Sequence, residues 1–145
     1  MSGRFKGGLD DNAKADADGR YSLDTWLGPI FRDLYFKEST FKALEIIRSA
    51  AEKHGFSVPE VALRWSVHHS ALRTASKGGN DGLILGISKI EQLDQNISDL
   101  TKGPLPEDVV EALEKAWLIT KGTAPLPWIT PLEYTYDAKD FLFKD

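Results

Sequence analysis

The sequence predicts an α/β fold, mostly helical in this chain, with one clear strand of a parallel sheet. The strand is expected at residues 82–87, Gly-Leu-Ile-Leu-Gly-Ile, which are apolar on both alternating faces as in a strand buried between helices. No other convincing strand is present, and unpaired buried backbone groups cost about 1–3 kcal/mol each. We therefore expect a fragment or truncated product of a larger α/β fold, in preference to a chain that completes its sheet with a partner.

The first 53 residues are expected to form a loop and two helices. Residues 1–24 are rich in glycine and polar residues without an apolar period, which predicts a loop. A short helix is expected within residues 26–36, interrupted by Gly28-Pro29. Apolar residues at helical spacing predict a longer helix over residues 40–53.

Three further helices are predicted from their start signals and apolar spacing. Ser57 and Glu60 form one capping box, Ser88 and Glu91 form a second, and the last helix begins near Pro106. The residues expected to pack inward are Val61, Trp65, His68 and Leu72 in the first of these helices, Ile90, Leu93, Ile97 and Leu100 in the second, and Val109, Leu113, Ala116 and Trp117 in the third.

Composition narrows the classes of function. The net charge of −4 gives no electrostatic reason to expect nucleic acid or an anionic membrane as partner. The absence of cysteine excludes disulfides, thiolate catalysis and cysteine-bound metal. No apolar run is long enough to span a bilayer, and the first residues lack the apolar core of a signal peptide, so a soluble cytoplasmic protein is expected. No metal site is expected at His68-His69, because adjacent helical positions point about 100° apart and no third ligand is in view.

The junction between the predicted strand and the helix after it carries the best chemical signal. A helix N-terminus offers free N–H groups and about half a positive charge, which favour an anion. Gly86 allows close approach of a ligand, Lys89 adds a full charge, and the amides of Gln92, Gln95 and Asn96 follow within two turns. Spacing alone leaves open the alternative of an ordinary capped helix with exposed amides.

Residues 84–96 read Ile-Leu-Gly-Ile-Ser-Lys-Ile-Glu-Gln-Leu-Asp-Gln-Asn. This segment resembles the cofactor motif at the final strand of the aldo-keto reductase family, most closely that of its aflatoxin-aldehyde-reductase branch. The match extends almost end to end, in order and with compatible gaps; its other parts are Ser2-Gly3-Arg4-Phe5, Gly19-Arg20-Tyr21, Ala62-Leu63-Arg64-Trp65, His68-His69-Ser70, Gly103-Pro104-Leu105 and Ala116-Trp117.

The resemblance implies the C-terminal part of a (β/α)8 barrel and a site for NADPH. Residues 1–145 would be a partial NADP-dependent oxidoreductase domain, with a cofactor-covering loop at 1–24, the final strand and helix at 82–101 and a tail at 125–145. The implied contacts to the adenosine 2′-phosphate are Gly86, Ile87, Ser88 and Gln92, to which we add Lys89 on physical grounds. Gln95 and Asn96 would contact the adenine. Gly3, Arg4 and Arg20 would fold over the cofactor.

The resemblance implies a small carbonyl compound as substrate, with Phe31 and Trp128 at the substrate site. Phe31 stands where the family has a substrate-contacting tyrosine and lacks its hydroxyl. Leu34 replaces an arginine that touches the cofactor, and Ile129 replaces one that holds a substrate carboxylate. A preference for carboxylated aldehydes is therefore not expected.

No residue of this chain matches the family's catalytic aspartate, tyrosine, lysine and histidine. The expected function is therefore NADPH-dependent reduction of aldehydes or ketones by a protein of which this chain supplies the cofactor site, and the chain alone is expected to be inactive. Two alternatives stay open: a truncated non-catalytic protein, or an interaction module that completes its sheet with a partner chain.

Overall fold

The computed structural model describes residues 20–125, and the prediction of a mostly helical chain holds for them. Five α-helices follow one another, with a short 3-10 turn at Ala75–Lys77 between the third and the fourth. Their bounds are α1 Gly28–Tyr35, α2 Glu38–Glu52, α3 Val58–His68, α4 Ile90–Leu100 and α5 Glu107–Thr120. No helix among these residues combines the length and apolar character needed to cross a bilayer.

The core lies where α2 packs along α5 and against α3. Small side chains dominate it, which lets the helices approach closely; its buried members are Ala50, Ala51, Val61, Leu105, Val109 and Ala112. Val61 and Val109 are completely buried. The indole of Trp65 packs against this cluster as predicted, so α3 is joined to the α2–α5 pair.

Local signals in the sequence explain the start of α1, the end of α2 and the start of α3. The Oγ of Ser57 accepts a hydrogen bond from the N–H of Glu60 at 3.1 Å, which confirms the predicted start of α3. Gly55 follows α2 with a φ of +69°, a conformation that favours glycine. Gly28-Pro29 begins α1 rather than interrupting it, since proline is well accommodated in a first helical turn.

The predicted strand at residues 82–87 is not confirmed. These residues have no regular secondary structure, and the side chain of Ile84 is 99% exposed. The physical reason is the lack of a neighbour: an extended segment becomes a strand only by pairing its backbone groups, and the described part of the chain offers no strand to pair with.

Two packing predictions also need correction. Of the apolar stripe expected to face inward from α4, Ile90 is 63% exposed and Ile97 is 50% exposed. Helix α4 instead packs on α3, and its one buried residue is Asp99. On α5, Trp117 was expected in the core but is 48% exposed, because the side packed against α2 is formed by smaller residues such as Ala112 and Ala116.

Candidate functional site

The first turn of α4 gathers several of the residues predicted to hold an anion. Lys89 is the N-cap residue just before the helix, with extended backbone angles (φ −142°, ψ 145°) and no side-chain cap hydrogen bond. The expected capping box between Ser88 and Glu91 is therefore not formed. Instead, the Oε1 of Gln92 accepts from the N–H of Ser88 at 3.1 Å and from its Oγ at 3.4 Å.

This arrangement leaves the start of α4 open to a ligand. Gly86, Ile87, Ser88, Lys89 and Gln92 are all exposed. A methyl group placed on Gly86 would meet no atom within 4 Å, so the backbone there is accessible. The first N–H groups of a helix lack the usual partner four residues back, so the positive end of the α4 dipole lies directly after Lys89. The chemistry suits a phosphate.

The two residues predicted to contact an adenine lie on the next turn of α4. The Nε2 of Gln95 donates to the Oδ1 of Asp99 at 2.9 Å, and Asn96 is half-buried. The amide of Gln95 is thus held by a buried carboxylate, a contact that the sequence analysis did not predict.

A buried polar network, centred on Arg64, fixes α4 and the turn after it against α3. The guanidinium of Arg64 donates to Glu60 Oε1 at 2.9 Å, to the carbonyl of Gly103 at 2.8 Å and to that of Pro104 at 2.8 Å. It also lies over the ring of Phe56, 4.5 Å from the centroid. Because these contacts span the turn between α4 and α5, they set the position of both helices relative to α3.

Lys102 joins this network to Asp99. Its Nζ lies 2.8 Å from Asp99 Oδ1 and 3.1 Å from Glu60 Oε1. The hydrogen bond to Asp99, followed by the one to Glu60, raises the pKa of Lys102. Within residues 20–125, the second carboxylate oxygen of Asp99, Oδ2, is buried and has no hydrogen-bond partner. The i, i+4 spacing of Glu60 and Arg64 was visible in the sequence, but nothing in it indicated burial.

The side chains of the two adjacent histidines form hydrogen bonds with backbone groups of the turn between α4 and α5. The Nε2 of His68 lies 2.8 Å from the carbonyl oxygen of Lys102, and the Nε2 of His69 accepts from the N–H of Leu105 at 2.9 Å. Burial, followed by the nearby charges of His68, Lys77 and Arg64, lowers the pKa of His69. No group of residues suited to hold a metal ion occurs within residues 20–125.

A second group of predicted residues lies around α1. The guanidinium of Arg20 lies 5.4 Å from the ring centroid of Phe31, so a predicted cofactor residue and a predicted substrate residue are adjacent. Phe31 also stacks on Tyr35, with ring centroids 6.4 Å apart. Any contact between α1 and α4 is smaller than the contact between α3 and α4. Gly3, Arg4 and Trp128 lie outside the described residues.

A half-open cavity of about 620 Å³ lies between α2 and α5. Its walls are mainly apolar and include Ile47, Trp65 and Trp117, with Glu114 as the ionisable residue among them. Among residues 20–125, none of those predicted to bind cofactor or substrate lines this cavity, and the first turn of α4 does not contribute to it.

Comparison with known proteins identifies the class. The Aldo/keto reductase family model matches residues 2–118, and the chain belongs to this family. The resemblance described from the sequence motifs is thereby confirmed. Membership implies a (β/α)8 barrel as the fold of the whole protein, which accounts for the expectation of a strand at residues 82–87.

Curated relatives include proteins of the predicted branch. The chain is 52% identical over 96 residues to an aldo-keto reductase of Pseudocercospora fijiensis, a match that covers 66% of this chain and 31% of the relative. It is 34% identical over 129 residues to aflatoxin B1 aldehyde reductase member 2 of Homo sapiens, covering 86% and 34% respectively. Aldo-keto reductase family 7 member A3 of Homo sapiens is 35% identical over 129 residues, covering 86% and 37%. The chain thus spans about a third of the length of these relatives.

Proposed function

We propose that the protein reduces aldehydes or ketones to alcohols with NADPH, and that this chain supplies the site for the adenosine 2′-phosphate. The observation that carries the proposal is the open first turn of α4, where Ser88, Lys89 and Gln92 lie together on a helix N-terminus. Family membership and the aldehyde reductases among its relatives support the class of reaction.

Lys89 is the residue that distinguishes a phosphate from a plain hydroxyl at this site. Its side chain is exposed and forms no ion pair within residues 20–125, so its charge is available to a ligand. A 2′-phosphate carries close to two negative charges, whereas the 2′-hydroxyl of NADH carries none. Lys89 and the helix dipole therefore favour NADPH over NADH.

The remaining cofactor and substrate contacts are proposed from the sequence resemblance. Gly86 and Ile87 would line the phosphate, Gln95 and Asn96 the adenine, and Gly3, Arg4 and Arg20 the cofactor's outer face. When bound, NADPH supplies a hydride to the carbonyl carbon. Phe31 and Trp128 would contact a small carbonyl substrate. No residue of this chain matches the catalytic tetrad, so we propose that the chain by itself binds cofactor without turnover, in the cytoplasm.

Calorimetric titration of the 145-residue chain with NADPH and with NADH tests this proposal. The substitution K89Q should weaken NADPH binding about five- to tenfold, as expected for one charge-assisted contact, and leave NADH almost unchanged. K121Q, at an exposed lysine just after α5, is the matched control and should change neither affinity. Equal losses for both nucleotides in K89Q would remove the 2′-phosphate assignment.

A specific observation favours a second candidate, an interaction module that completes its sheet with a partner chain. Ile84, Ile90 and Ile97 expose 99%, 63% and 50% of their surface, on a segment and a helix that follow one another. Large apolar side chains exposed along one stretch of chain favour a surface that another protein chain covers. Sedimentation at several concentrations separates the two: a compact dimer that loses affinity on I90D substitution supports the module, whereas a monomer that binds NADPH supports the reductase.

A further inference from the structure

The hydrogen bond between Gln95 and Asp99 on α4 fixes the orientation of the Gln95 side-chain amide. Gln95 Nε2 lies 2.9 Å from Asp99 Oδ1, and Lys102 Nζ lies 2.8 Å from the same oxygen. A carboxylate only accepts hydrogen bonds, so the amide of Gln95 must turn its nitrogen toward Asp99. Its carbonyl oxygen, Oε1, then faces away from Asp99 on an exposed side chain and accepts no hydrogen bond within residues 20–125.

The surroundings of Asp99 prevent this pair from relaxing into another arrangement. Asp99 is 1% exposed, so its carboxylate is enclosed by the fold. Its partner Lys102 is itself held by Glu60, 3.1 Å away, which limits the movement of both groups. The Oδ2 of Asp99 is buried and has no hydrogen-bond partner in the described part of the chain. The two hydrogen bonds that its other oxygen, Oδ1, accepts from Gln95 and Lys102 therefore set the orientation of the carboxylate.

We propose that Asp99 is a positioning residue that makes α4 select adenine over bases with a 6-oxo group. This inference rests on the proposed function, in which Gln95 contacts the base of the nucleotide. The exocyclic amino group of adenine donates a hydrogen bond, and the Oε1 that Asp99 turns outward accepts it. Hypoxanthine and guanine carry an oxygen at that position, which faces Oε1 as a second acceptor and forms no bond.

The test compares NADPH with its hypoxanthine analogue, in which only the base differs, by calorimetric titration of the whole chain. The unmodified chain should bind NADPH about tenfold more tightly than the analogue, in the range expected for one base contact. D99L removes the acceptor and frees the amide of Gln95 to rotate, so the ratio of the two affinities should fall to about one or two. D94L makes the same change at an exposed position of α4 and should leave the ratio intact.

A conservative variant separates positioning from a structural role. In D99N, Lys102 still requires an acceptor, so the oxygen of the new side-chain amide should face Lys102 and Gln95. The preference for adenine should therefore be retained. In the double variant D99N/K102M nothing fixes that amide, and the preference should be lost. This second variant also tests the inference if D99L does not fold.

A double-mutant cycle tests whether Asp99 acts through Gln95. Q95M should abolish the preference, and D99L added to Q95M should have no further effect on the ratio. If D99L weakens both nucleotides equally with the ratio unchanged, Asp99 is only structural and the inference is wrong. If the unmodified chain binds both nucleotides equally, the inference is again wrong while the proposed function stands. If it binds neither, both are overturned.

Discussion

Replacing Arg64 with methionine tests how α4 and the turn after it are attached to α3. Arg64 is 7% exposed, and its fork reaches Glu60, the carbonyl of Gly103 and the carbonyl of Pro104. Methionine keeps most of the apolar stem but none of the donors. Glu60, itself 6% exposed, would retain Lys102 as its ion-pair partner, at 3.1 Å.

The expected loss in the free energy of unfolding follows from these contacts. Removing one partner of a buried ion pair costs about 3–5 kcal/mol, because the other charge remains buried. The lower end applies here, since Lys102 still neutralises part of the Glu60 charge and the carbonyls of Gly103 and Pro104 belong to exposed residues that water can reach. We therefore expect R64M to lose about 3 kcal/mol, a large part of the stability of an ordinary domain.

Urea unfolding followed by tryptophan fluorescence and by far-ultraviolet circular dichroism measures this loss. R48M is the matched control: Arg48 also pairs with a glutamate on its own helix, at 2.8 Å, but the side chain of that partner, Glu45, is 71% exposed. A surface pair of this kind contributes at most about 1 kcal/mol. If R64M costs no more than R48M, the network does not hold α4 to α3 as described.

Two further predictions concern stability. The hydrogen bond from Leu105 to His69 needs an unprotonated Nε2, and the pKa of His69 is lowered in the fold from its ordinary 6.5. Its contribution to stability is therefore complete above about pH 6.5 and is lost as the pH falls below that value toward the folded pKa, because the unfolded chain binds the proton first. Urea unfolding at about pH 7.5 and about pH 5.5 should show this decrease, and it should shrink in H69Q; an unchanged pH dependence in H69Q contradicts the assignment. V109A, at a completely buried position, should cost about 2–3 kcal/mol, whereas L118A, on the same helix but 71% exposed, should stay within about 0.5 kcal/mol; equal effects would show that the core is elsewhere.

The sequence was sufficient for features set by neighbouring residues. The start of α3 depends on one hydroxyl, Ser57, and a backbone N–H three residues away, so it was predictable from spacing. The end of α2 is followed by one left-handed residue, Gly55, and was predictable for the same reason. The resemblance in motifs also led correctly to the family.

Features set by distant residues were not predictable. A strand requires partners along its edges, and no property of residues 82–87 supplies them. The capping box at Ser88 is absent because α4 begins one residue later, with Lys89 as its N-cap, and the N–H of Ser88 donates to Gln92 rather than to Glu91. The burial of Asp99 could not be foreseen either, since the helical period places it beside polar residues and its environment comes from α3 and Lys102.

The unusual distribution of residues on α4 has a physical explanation in the family's fold. Its side toward α3 is polar and buries Asp99, while Ile90 and Ile97 are exposed on the helix. In a (β/α)8 barrel a helix contacts the sheet with one face and neighbouring helices with its flanks. We expect the isoleucine face of α4 to be the one that contacts the sheet in the whole protein. The polar flank is already paired with α3, and this pairing fixes the position of the first turn of α4, which directly follows Ser88 and Lys89.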